Sequence, residues 1–143
     1  MVSKPRAVMD TNVLLAALRS RTGASFEIIQ RLRYEEWVAV LSNHLLYEYE
    51  EVLKRESAVL NLSLNDIDQL LNAIAARSEE WTLSFDWTPV LTDPDDEPLA
   101  QLAMESEAFV IITHNTGHLL PATALGIEIL KPGQFLAMLR RFE

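Results

Sequence analysis

Four short apolar runs, RAVM (residues 6–9), WVAVL (37–41), FVIIT (109–113) and IEIL (127–130), are separated by stretches whose apolar residues recur every three or four positions. No other property of the chain constrains its fold as much. Such short, largely apolar runs read as strands. Strands that return along the same direction need helical crossovers between them. The alternation therefore predicts an α/β fold with a parallel sheet covered by helices on both faces.

The helical stretches are SFEIIQRLRYE (25–35), LLYEYEEVLKRE (45–56), LNDIDQLLNAIAARSE (64–79), PLAQLAMESE (98–107) and QFLAMLRRF (134–142), and a further helix resumes after Asp10. Their starts are marked: Ser42 and Asn43, Ser63, and the polar cluster TDPDDEP (92–98) each precede one, and Pro132 and Gly133 open the last. Arg140 and Arg141 stand in its final turn, where cations complement the helix dipole.

At 143 residues, 49% of them hydrophobic, a single domain over 1–143 is expected. The absence of cysteine excludes disulfides and thiolate metal sites, so a metal would be held by oxygen or imidazole ligands, which favours a hard cation. No apolar run approaches the roughly 20 residues that cross a bilayer, and MVSKPRAVMD lacks the apolar stretch of a signal peptide. No membrane partner is expected, and the cytoplasm is the expected compartment. A net charge of −9, from 21 acidic and 12 basic residues, opposes broad attraction to phosphate backbones. A nucleic-acid substrate would need divalent ions and a local basic patch. Solubility or a basic partner explains the acidity equally well.

The acidic residues at strand ends are the candidates for chemistry, because ligands of doubly wound sheets collect beyond the carboxyl ends of the strands. Asp10 ends the first run and is either a ligand there or only a helix N-cap. Glu48 lies three residues after Leu45 and four before Val52, close to the apolar stripe of its helix, where a carboxylate needs a cation or donor; a solvated rim position is the alternative. Asp93, Asp95 and Asp96 crowd within four positions. Asp96 suits projection toward the strand ends, whereas Asp93 and Asp95 read as loop and cap residues. After the most apolar run come Thr113, His114, Asn115, Thr116, Gly117 and His118. Asn115 is a neutral ligand or hydrogen-bonding group there. His118 suits metal binding, proton transfer or a phosphate contact, or is a satisfied surface residue.

The ordered set VMDTNVLL, LLYEYEEVLKR, DPDDEPLAQLA, VIITHNTGHLL and IEILKPGQFL resembles the PIN domain family, particularly bacterial PIN proteins that act as toxins of toxin–antitoxin pairs, over nearly the whole chain. The resemblance implies a three-layer α/β/α sandwich with a mainly parallel central sheet, and a ribonuclease dependent on Mg²⁺ or Mn²⁺. It places the family's first acid on Asp10, its helix glutamate on Glu48 and its third acid on Asp96, as metal ligands and catalytic residues. Thr11 and Asn12 fall on the polar pair that supports the first acid. The fourth acid of many relatives is missing, and Asn115 and His118 stand where it is expected. Asn115 would orient water or phosphate, Thr113 would fix the loop, His118 would be auxiliary, and Asp93 or Asp95 would compensate for the missing charge. RNA as substrate, a small antitoxin and a homodimer are the implied partners.

Two other classes fit parts of the pattern. A PIN scaffold with weakened catalysis would bind RNA or metal as a regulatory module. A phosphatase would use Asp10 as nucleophile, although Asn12 stands where the haloacid dehalogenase type has a second acid. Arg19, Arg21, Arg31 and Arg33 are candidates for phosphate contacts or solvated helix faces, and Tyr47, Tyr49 and Trp87 for base stacking or core and interface packing.

Overall fold

The apolar runs do become strands of one sheet. In this computed structural model, which describes residues 4–141, they are β1 (Arg6–Met9), β2 (Val38–Leu41), β4 (Val110–Ile112) and β5 (Glu128–Leu130), joined by β3 (Ser78–Glu80). Phe142, the last residue expected in the closing helix, and residues 1–3 and 143 of the expected domain lie outside the described residues. The strand order is β3-β2-β1-β4-β5 and every pairing is parallel. Ala7, Val8, Met9, Ala39, Val40, Ile111 and Ile112 are buried, as strands covered on both faces require.

The crossovers carry α1 (Thr11–Arg19), α2 (Ala24–Arg33), α3 (Asn43–Arg55), α4 (Ser57–Leu60), α5 (Leu64–Ala76), α6 (Glu97–Glu105), α7 (Thr116–Leu119) and α8 (Pro132–Arg140). The result is the three-layer α/β/α sandwich. Two of the expected caps form: the Ser42 hydroxyl accepts from Leu45 N at 3.2 Å, and Ser63 makes a reciprocal box with Asp66 at 3.0 Å each way. The Trp37 indole donates to Ile28 O at 2.9 Å and meets Phe135 edge-on, with centroids 5.0 Å apart, so α2, β2 and α8 share one core.

Most boundaries move by a residue or two from the sequence reading, and two of the shifts have a clear physical cause. The helix expected over 64–79 ends at Ala76, and Ser78–Glu80 forms the edge strand instead, with Ser78 opposite Ala39 and Glu80 opposite Leu41. The open edge of β2 offers hydrogen bonds to this backbone, and that gain outweighs a helical pattern that was already losing its apolar positions. The run FVIIT also starts one residue late as a strand, because Phe109 has φ +55°, outside the extended region.

The sheet order fixes where a ligand can enter. From β1 the chain winds outward to β2 and β3, then returns to lay β4 on the other side of β1. The connections leaving β1 and β4 therefore diverge and open a crevice at their carboxyl ends. The opposite end is closed by Arg6, which donates to Glu79 of β3 and to Ser106 O at 2.9 Å.

Candidate active site

Asp10 continues β1 by one residue, its N–H donating to Ile112 O at 2.9 Å, and then occupies the N-cap position of α1. Its carboxylate makes no side-chain capping bond. It accepts instead from the Thr113 hydroxyl at 2.8 Å and from Asn12 Nδ2 at 3.3 Å, so Asp10 holds the N-cap position with its side chain tied to the residue after β4 and not capping the helix. Asn12 also links the two loops, since its Oδ1 accepts from His114 N at 3.2 Å and its Nδ2 lies 3.4 Å from Thr113 Oγ1. Thr113 is fully buried, and its oxygen accepts in turn from Asn115 N at 3.0 Å. Asn115 is exposed at the N-cap of α7 and makes no side-chain capping bond.

Glu48 arrives from α3. It is half-buried, and the Thr11 hydroxyl, at the first position of α1, donates to its Oε2. Thr11 therefore reaches Glu48 with its side chain while its backbone hydrogen-bonds Asp10. The next residue, Tyr49, is fully buried and donates its hydroxyl to Met9 O, directly before Asp10. Tyr49 thus belongs to the core and is unavailable for base stacking, and Trp87 is half-buried with its indole bonded to Glu97 at 2.7 Å. Tyr47 is exposed.

Asp96 closes the 3₁₀ turn Pro94–Asp96 and begins α6, again with no capping bond from its side chain. Its Oδ2 is buried and has no hydrogen-bond partner. Asp93 behaves as a cap, accepting from Asp95 N at 2.9 Å, and is exposed. Glu97, overlooked in the sequence, is a buried carboxylate, but the Trp87 indole and the amides of Val90 and Leu91 satisfy it. Its Oε1 stands 2.7 Å from Val90 N, and it secures the segment leading to Asp96.

The electrostatics tie the three acids together. Burial pushes the Asp10 carboxyl above its ordinary range against the pull of Thr113, and the charges of Glu48 and Asp96 push it the same way. Burial likewise raises Asp96, with Asp93, Glu48 and Asp95 adding to the rise and exposed His118 opposing it. Three carboxylates from three distant segments thus share one field. Among the described residues no group of three His, Cys, Asp or Glu side chains is arranged to hold an ion by itself. The set suits a hydrated cation, since Mg²⁺ keeps several waters and takes only one or two carboxylates directly. Such a charge would relieve the undonated Asp96 oxygen and the two raised carboxyls.

The candidate arginines divide. Arg19 pairs with Glu56 at 3.5 Å and Arg31 with Glu36 at 3.3 Å, whereas Arg21 and Arg33 line a cavity of about 540 Å³ beside Phe26 and Leu62. Among the described residues no helix is long and apolar enough to cross a membrane.

No curated protein matches the sequence. Among solved structures, a chain in the crystal structure of VapBC2 from Rickettsia felis bound to a DNA fragment from their promoter is similar, with a TM-score of 0.61 and 13% identity. The match covers 88% of this chain and 98% of that one. At that identity the likeness speaks for the fold alone. A family model described as PIN domain matches residues 6–117, from the first residue of β1 past the loop that holds Thr113 and Asn115 into the start of α7. Over that span sequence and sheet order agree, and the chain belongs to the PIN domain family.

Proposed function

We propose that the chain is a metal-dependent endoribonuclease that hydrolyses RNA phosphodiester bonds as the toxin of a toxin–antitoxin pair. The PIN fold is consistent with the nuclease superfamily. The observation that carries the proposal is the buried, undonated Oδ2 of Asp96 in the same field as Asp10 and Glu48. Such an oxygen is costly unless a cation meets it.

In this reading Asp10, Glu48 and Asp96 hold Mg²⁺ or Mn²⁺ directly or through water. The bound ion supplies an activated water and relieves charge on the scissile phosphate. The chain's own residues set the stage. The Thr113 hydroxyl favours ionised Asp10, and the Thr11 hydroxyl orients Glu48. Asn12 keeps the Asp10 and Thr113 loops in register. Asn115, with no capping duty, faces phosphate or water, while His118 and Asp93 tune the charge around Asp96. The proposed partners are an RNA substrate, a small antitoxin and a second copy of the chain, in the cytoplasm.

The missing fourth acid favours a second reading, a regulatory module that binds RNA or metal without turnover. The phosphatase reading loses ground, because Asn12 is an amide bonded to Asp10 where a second acid would be needed.

Cleavage of a structured RNA by the purified chain, with Mn²⁺ or a chelator, tests the proposal. Asp10→Asn, Glu48→Gln and Asp96→Asn are each expected to lower the rate by roughly 100-fold or more while circular dichroism stays unchanged. Wild-type protein that binds Mn²⁺ but cuts nothing establishes the regulatory reading. Variants that cut as well as the wild type defeat the nuclease.

A further inference from the structure

Asp10 and Glu48 lie 38 positions apart in sequence, on a strand end and a helix whose backbones carry no direct hydrogen bond to each other among the described residues. Two hydroxyls join them. Tyr49, next to Glu48, donates to the carbonyl of Met9, next to Asp10. Thr11, on the other side of Asp10, donates to Glu48 Oε2. Residues 9–11 and 48–49 thus form a closed ring of covalent and hydrogen bonds, with one acid on each arm.

We infer that this pair of hydroxyls is a spacer: Tyr49, with Thr11, sets the separation and orientation of the Asp10 and Glu48 carboxylates, and so the affinity of the site for a divalent cation. The inference rests on the metal-site reading above and adds positioning residues to it.

The ring has the properties a spacer needs. Tyr49 is completely buried, so its phenol has no water to turn to and the bond to Met9 O is its only outlet. A packing role alone would be served by phenylalanine. The hydroxyl is the part of the side chain that reaches the strand end, and the two flanking acids are the groups its position controls. Thr11, only 6% exposed, leaves its own bond little freedom to rearrange. The ring constrains only one oxygen of Glu48, and the other is left for an ion or its water. Outer partners of this kind typically govern metal affinity by about 10–100-fold.

Tyr49→Phe keeps the ring in the core and deletes only the hydroxyl, and Thr11→Val does the same for the second tie. Ile28→Val, in the fully buried part of α2 away from the acids, serves as a control for general destabilisation. Mn²⁺ affinity of the full chain is measured by titration calorimetry, and RNA cleavage is followed against Mn²⁺ concentration. Tyr49→Phe and Thr11→Val are each expected to weaken Mn²⁺ binding by about tenfold. Saturating Mn²⁺ should restore kcat, leaving a raised metal requirement, whereas Ile28→Val binds as the wild type does.

Wild-type affinity in Tyr49→Phe, with binding abolished in Asp10→Asn, overturns the spacer and leaves the metal site standing. Equal weakening in Ile28→Val shows a merely structural effect and also overturns it. If wild type and Asp10→Asn both fail to bind Mn²⁺, the metal-site reading falls and the spacer with it.

Discussion

Asp10 is held by opposing forces, and each can be removed separately. The Thr113 hydroxyl stabilises its ionised form while burial, Glu48 and Asp96 oppose it. Thr113→Val therefore raises the Asp10 pKa further, and the acid limb of the cleavage–pH profile moves to higher pH. An unmoved limb would show that another group controls it. The same balance has a stability sign. Because the folded-state pKa of Asp10 lies above its unfolded value, the folded protein binds the proton more tightly, and stability falls as pH rises through the interval between the two. Asp10→Asn removes that loss. In chelator at neutral pH the variant should melt higher, by on the order of 1 kcal/mol, the usual size of an exchange of function for stability. Unchanged or lower melting by calorimetry would contradict it. Asp10 and Glu48 stand out in the sequence because each interrupts an apolar pattern, Asp96 because it ends a crowded run of acids, and Asn12 and Thr113 because they flank strand ends. The bonds from Thr11 to Glu48 and from Tyr49 to Met9 do not, since they join residues 37 and 40 positions apart.

The segment between β3 and the Pro94–Asp96 turn has no regular structure, yet one face of α6 secures it. Of three residues spaced four apart, Glu97 accepts from the Trp87 indole and the amides of Val90 and Leu91, Gln101 donates its Nε2 to Ser84 O at 2.8 Å, and Glu105 accepts from Ser84 N at 2.9 Å. Glu97→Ala leaves three donors without a partner, at about 1–3 kcal/mol each where water cannot reach them. Proteolysis between residues 81 and 93 should accelerate before global unfolding. A second element-scale feature is the turn into β4, where Glu107 and Phe109 have φ of +60° and +55°. Exposed Glu107→Gly should stabilise the chain by about 1 kcal/mol, measured by denaturant midpoint, because the left-handed conformation costs side-chain-bearing residues about that much. Among the elements, β1, β2 and β4 were readable because strands buried inside the sandwich are largely apolar, and β5 because Ile127, Ile129 and Leu130 stand out around Glu128. Ser78–Glu80 was not: its residues are half-buried or exposed, and its strand character comes from the neighbouring edge of β2.

Across the whole molecule, ion pairs among the described residues hold half of the twelve cations. Arg6 pairs with Glu79, Lys54 with Asp68 at 3.0 Å, Arg55 with Glu51 at 3.5 Å and Arg140 with Glu27 at 3.1 Å, in a chain of net charge −9. That pairing and the excess of acid limit the displacement of counterions from RNA. The slope of log KM against log monovalent salt should correspond to no more than about two phosphate contacts, and a steep slope would reveal a basic surface beyond Arg21 and Arg33. The parallel sandwich was legible from the alternation of runs, whereas the strand order was not, because nothing local in β4 records that it lies beside β1. That adjacency governs timing. Asp10 and Glu48 are synthesised well before Thr113 and the strand that seats it beside β1. A nascent polypeptide still awaiting Val110–Ile112 has half a site and no partner for the Asp10 amide. The proposed activity would therefore arise only once these later residues have emerged and folded back onto β1.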